Sequence, residues 1–185
     1  VIHGDANPQG PGLKFRHVPS EADGRHPGFT QTMDAGSYMT VAGFPALDAA
    51  FTFYTMIWPT LLRRDDQTIL SQWDDATGTG IHIGLKAGGF VTVTLGGPGG
   101  VKQAIAPKAM VQRQWYALAV AVDPVSGAVR IDQSPLIPYA MSDDRVSAQF
   151  TLSPAAPLPG LMLAGTAMAD GTVGRHFDGK LDSPI

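Results

Sequence analysis

Cleaving a glycosidic bond takes two carboxyl groups about 5–5.5 Å apart in a retaining enzyme, one acting as acid and one as nucleophile. The chain has a single glutamate, Glu21, in a loop-like stretch, and no strand-like segment carries two carboxylates in the required alternation. Arg130 and Asp132 supply one acid. Asp178 and Asp182 stand four apart, and read better as a turn residue and a strand-end residue. The five histidines, at 3, 17, 26, 82 and 176, show neither HxH nor HExxH spacing, so the sequence carries no zinc or iron signature. His82 lies between two isoleucines, a setting for a solvent-facing or core-hydrogen-bonded imidazole. With no cysteine, disulfides, thiolate metal sites and a thiol nucleophile are excluded. No G-x-S-x-G elbow occurs, and Ser126 before Gly127 reads as a hairpin turn. The glycine-rich run 96–100 lacks the Lys-Ser/Thr ending of a phosphate-binding loop.

The elements that would position any site are strands. Segment 115–122 is apolar at both alternating sets: Tyr116, Leu118, Val120 and Val122 on one side, Trp115, Ala117, Ala119 and Ala121 on the other. That pattern predicts a central strand covered on both faces, with the alanine side allowing close sheet-on-sheet packing. Asp123-Pro124-Val125-Ser126-Gly127 predicts a turn, and 128–132 the return strand. Segment 50–58, aromatic and β-branched, is a further strand, stopped by Pro59. Strands are also expected over 13–18, 29–33, 38–41, 68–73, 81–86, 90–95, 101–106, 146–152, 160–165 and 177–182, with one short helical turn at 107–113.

Composition agrees. Gly (22) and Pro (15) punctuate the 185 residues, while lysine occurs five times and glutamate once, so exposed helix faces have little to be made of. Strands at short regular spacing, without a helix of ordinary length, predict an all-β fold, a two-sheet antiparallel β-sandwich. A net charge of −3 with no basic cluster beyond Arg63-Arg64 gives no footprint for nucleic acid or an anionic membrane, and no apolar run reaches about 18 residues. The start without Met and the abrupt end at Leu181-Asp182-Ser183-Pro184-Ile185 lead us to expect a fragment of a longer protein, with 1–185 forming one domain whose core is 29–182.

Several pieces recur in a known order: Asp34-Ala35-Gly36-Ser37-Tyr38, Phe51-Thr52-Phe53 with Ile57-Trp58-Pro59, Thr68-Ile69-Leu70-Ser71, Trp115-Tyr116-Ala117-Leu118-Ala119, and Phe177-Asp178-Gly179-Lys180-Leu181-Asp182. Together they resemble the laminin-G-like branch of the concanavalin A-like jelly rolls, which implies two antiparallel sheets, one with a concave face. The opening HGDxNPxGPGL and the closing GKLDSP are similar to the laminin-G-like module in the large subunit of bacterial N,N-dimethylformamidase and its relatives. In that family the module accompanies an amidohydrolase-type region with a mononuclear iron site, so the resemblance implies catalytic residues outside this chain. It also implies an accessory role toward other domains or subunits, in the cytoplasm. The alternative is a carbohydrate-binding module of an extracellular protein. Its candidate platform is Trp58, Trp73 and Tyr139, with Asp74 and Asp75 as polar rim; core packing and solvated loops are the competing readings. Asp34 and Asp182 match positions that hold a structural calcium in many laminin-G-like modules, against ordinary turn roles.

Overall fold

The computed structural model describes residues 1–3, 7–8, 13–15, 36–63, 65–137 and 144–185. In chain order the strands are β1 (Ile2–His3), β2 (Asn7–Pro8), β3 (Leu13–Phe15), β4 (Tyr38–Val41), β5 (Phe51–Pro59), β6 (Gln67–Asp74), β7 (Thr79–Lys86) and β8 (Phe90–Gly97). They continue with β9 (Gly100–Ala109), β10 (Tyr116–Asp123), β11 (Ala128–Pro135), β12 (Val146–Thr151), β13 (Leu161–Leu163), β14 (Thr166–Ala167), β15 (Val173–Gly174) and β16 (Gly179–Asp182). No helix occurs among the described residues. One sheet runs β1-β4-β13-β6-β7-β8-β9 and the other β12-β11-β10-β5-β16-β3-β2, with β14 and β15 as a separate ribbon; every pairing is antiparallel. The fold is therefore the antiparallel β-sandwich expected.

Alternation explains the core. Ile81, Ile83 and Leu85 of β7 and Val91, Val93 and Leu95 of β8 face Phe53 and Ile57 of β5, Tyr116, Leu118, Val120 and Val122 of β10 and Ile131 of β11 in one cluster. Burying side chains of this size contributes about 1.5–3 kcal/mol each.

Two expectations are corrected. The central strand is covered on one face only: its large residues point to the other sheet, while Ala117, Ala119 and Ala121 remain half-buried on the outside. Tight packing uses the bulky side because only that side fills the roughly 10 Å between sheets. The helical turn at 107–113 is not one. β9 continues through Pro107 to Ala109, and a turn follows over 112–113. Proline is tolerated there because β9 is an edge strand. The strand expected at 29–33 lies outside the described residues.

The turn chemistry holds, and it occurs twice. Asp123 Oδ1 accepts the Val125 and Ser126 N–H groups and Oδ2 the Ser126 hydroxyl; Asp74 Oδ1 accepts the Ala76 N–H and Oδ2 the Thr77 hydroxyl. Gly127 (φ 75) and Gly78 (φ 64) close the two turns in the left-handed region.

Candidate functional site

The outer face of the β12-β11-β10-β5-β16 region is an open trough. Register places Gln149, Arg130, Ala121 and Thr52 in one row, then Ser147, Asp132, Ala119 and Tyr54, then Ser134, Ala117 and Met56. Alanines along β10 form the floor because a methyl group stands far lower than the residues beside it. At the hairpin end an open cavity of about 630 Å³ is lined by Thr52, Ala121, Arg130 and Gln149 of this face together with Phe51, Val122, Val129 and Phe150, which point to the inner side of the sheet. Arg130 donates to both carboxylate oxygens of Asp132, from Nε at 2.6 Å and Nη2 at 3.2 Å. That hydrogen bond holds the Asp132 carboxyl below and the Arg130 guanidinium above its ordinary value. Both side chains stay well exposed, so the pair presents charge and hydrogen-bonding groups rather than stability.

At the other end Trp58 and Trp115 tilt against one another, centroids 6.4 Å apart, and Lys180 Nζ sits 5.2 Å from the Trp58 ring centre. β16 places Lys180 opposite Trp58 and Asp182 opposite Met56. Two candidate residues, Trp58 and Asp182, thus share this face. The Asp182 carbonyl accepts from the Thr55 hydroxyl, and its carboxylate accepts from Ser183 Oγ at 3.2 Å.

Trp73, Asp74 and Asp75 belong elsewhere. Trp73 lies across the outer face of the opposite sheet, where register sets it beside Gly80 and Gly96. A Cβ on Gly96 would stand 2.9 Å from the indole Cη2, so glycine makes room for the ring. Both Asp74 carboxylate oxygens are committed to the turn, which lowers its pKa. Asp75 pairs with Arg175 Nη2 at 3.3 Å. On the same face His82 is buried, edge-on to Trp73, and shares a hydrogen bond of 2.9 Å with the Thr68 hydroxyl. Burial, reinforced by the Arg175 charge, pushes its pKa down to about 4, so the imidazole is neutral at physiological pH. Tyr139 and Asp34 lie outside the described residues.

The aromatic and acidic candidates therefore divide between two outer faces rather than forming one platform. Trp115, Arg130, Asp132 and Arg175 were not among them. For the first three the signal was present in the alternation of 115–122 and 128–132, once the alanine side is taken as the outside. Arg175 meets Asp75 a hundred positions away, and no local pattern announces it. Among the described residues no group of three or more His, Cys, Asp or Glu side chains stands close enough to hold a metal, and no helix is long and apolar enough to cross a membrane.

The antiparallel jelly-roll sandwich is a fold that this chain shares with several solved structures. Among solved structures the chain is similar to a SAP-like pentraxin from Limulus polyphemus (TM-score 0.54, 14% identity, 80% of this chain and 67% of that one). It is also similar to the CBM40 of the Ruminococcus gnavus IT-sialidase, solved with α2,3-sialyllactose (TM-score 0.55, 18% identity, 77% of this chain and 83% of that one). The botulinum neurotoxin D/C binding domain matches all of this chain and 42% of its own (TM-score 0.62, 11% identity). At these identities the likeness is one of fold. No family model matches. In sequence, the chain is 31% identical over 202 residues to the β subunit of N,N-dimethylformamidase from Paracoccus aminophilus, and 30% identical to that from an Alcaligenes species. All of this chain is aligned, and it spans about a quarter (26%) of each relative.

Proposed function

We propose that this chain is a non-catalytic interaction module, a single laminin-G-like domain with its core at 29–182, of an N,N-dimethylformamidase-like amide hydrolase. Its trough seats another domain or subunit of the same protein. The observation that carries this reading is the alignment of the whole chain, end to end, with the dimethylformamidase β subunits. The open trough supports it, because an alanine floor with Arg130 and Asp132 on its wall suits a polypeptide surface of mixed character. The test is twofold. The isolated chain should release no dimethylamine from N,N-dimethylformamide, and turnover would overturn the reading. In the parent protein, Ala119→Trp should fill the trough and loosen subunit or domain association, read by analytical ultracentrifugation.

The second reading, a carbohydrate-binding module, is favoured by Trp58 and Trp115 lying half-buried side by side on the same open face. A glycan array with signal lost in Trp58→Ala would support it. A structural calcium at Asp34 and Asp182 belongs to the same family expectation, and Asp182→Asn should then lower the melting temperature only when calcium is present.

A further inference from the structure

We propose that the buried oxygen cluster around Asp144 is a cation site, and that it takes a hard, oxygen-seeking ion of the calcium type. The site lies at one end of the inner surface of the β10–β11–β12 sheet, on the opposite side of that sheet from the trough. Register sets Tyr116 opposite Pro135, Leu118 opposite Gln133, and Gln133 opposite Val146. Asp144 stands two residues before Val146, the spacing that returns a side chain to the same surface.

The local hydrogen bonds leave two acceptors unpaired. The Tyr116 hydroxyl donates to Asp144 Oδ2 and accepts the Val111 N–H at 2.8 Å. Gln133 Nε2 donates to the Asp144 carbonyl at 2.6 Å. Asp144 Oδ1 and Gln133 Oε1 are both shut off from solvent and have no hydrogen-bond partner. The residues themselves are 5% and 1% exposed. Among the described residues no cationic side chain pairs with Asp144.

Two facts select the occupant. A buried carboxylate without a counter-charge is strongly unfavourable, so the group lacks positive charge and not only a donor. Water molecules would bring hydrogen-bond donors to such oxygens but no positive charge. The ligand set is oxygen throughout: a carboxylate, an amide carbonyl and a nearby backbone carbonyl. That chemistry suits calcium and disfavours zinc, copper or iron, which seek nitrogen and sulfur. The ion would tie the start of β12 to β10 and β11. Since Ser147 and Gln149 of β12 form one wall of the trough, cation binding would order that wall from behind.

The experiment follows the melting temperature of EDTA-treated chain with added calcium chloride, together with terbium luminescence excited through Tyr116 and Trp115. Asp144→Asn is the matching variant, since an amide oxygen still accepts from Tyr116 and the fold keeps that bond. Calcium at a hundredfold excess over its dissociation constant should raise the wild-type melting temperature by about 5–10 °C. Terbium emission should saturate and be displaced by calcium, and Asp144→Asn should remove a component of it that Asp182→Asn leaves in place. The proposal is overturned by an absent calcium response, or by a response retained in Asp144→Asn and lost in Asp182→Asn. It is equally overturned if Asp144→Asn is more stable than wild type in EDTA and calcium brings the wild type no gain.

Discussion

The two sheets treat their outer faces in opposite ways. On β6, β7 and β8 the residues turned away from the sandwich include Ser71, His82, Thr92 and Thr94, and all four are buried although all are polar. On β10 the residues turned away are Ala117, Ala119 and Ala121, apolar and half open to solvent. Polarity therefore does not decide which face is covered; the space a side chain fills does. The buried polar face is held by internal hydrogen bonds, Ser71 to the Gly165 carbonyl, Thr68 to His82 and Gln103 to Thr94. The alanine face makes few such bonds and leaves a groove, so one face is closed by its own hydrogen bonds and the other stays partly open to solvent. That contrast can be broken by substitution.

The largest difference should come from adding bulk to each face. Gly96→Val on β8 would drive a side chain into the Gly78 carbonyl and the Trp73 ring, and should cost about 3 kcal/mol or more in urea denaturation. Ala119→Val on β10 should stay within about 0.5 kcal/mol, because its side chain enters open space. Equal losses would mean the alanine face is packed after all.

Protonation separates the faces next. His82 has a folded pKa of about 4 against 6.5 for the free side chain. The folded state resists the proton that the unfolded chain accepts. This contribution is therefore complete above pH 6.5 and is lost as pH falls toward 4, by up to about 3 kcal/mol. Stability measured across that window should fall in the wild type and stay flatter in His82→Gln. Asp132 on the open face behaves differently. Its pKa is lowered, so its small contribution is present above its ordinary value of 3.8 and fades only below it. A stability loss between pH 6.5 and 4 that survives His82→Gln would assign the titration to another group.

The inner surface gives an intermediate effect. Tyr116→Phe removes the acceptor for the Val111 N–H and the donor to Asp144, which stays buried without it. A loss of about 2–3 kcal/mol is expected in chemical denaturation, well beyond the cost of a lone hydroxyl at the surface.

Much of this fold is legible in the sequence, and the reasons are local. Period-two alternation identifies 51–59 and 116–123 as strands, and Asp-x-x-Ser/Thr-Gly announces both hairpin turns. Alternation carries no sign, however. When both sets are apolar it cannot say which looks inward, and for β10 the reading placed the alanines on the wrong side. Nor can it show that β16, from the end of the chain, pairs with β5 and brings Lys180 to Trp58. The buried meeting of Tyr116 with Asp144 is hidden for the same reason, since it depends on β12 returning beside β11.

The smallest effect on stability should be the most informative about function. Arg130→Ala removes a cation from the trough wall without touching the core, because its partner Asp132 is itself solvated and keeps water in place of the guanidinium. The denaturation midpoint should not move measurably. If the trough seats a partner domain or subunit, association should weaken and its salt dependence flatten, since a rim charge contributes mainly through encounter and register. Should the midpoint drop while association holds, the Arg130–Asp132 pair would be a structural clasp, and the binding surface would have to be sought on the Trp73–Arg175 face instead.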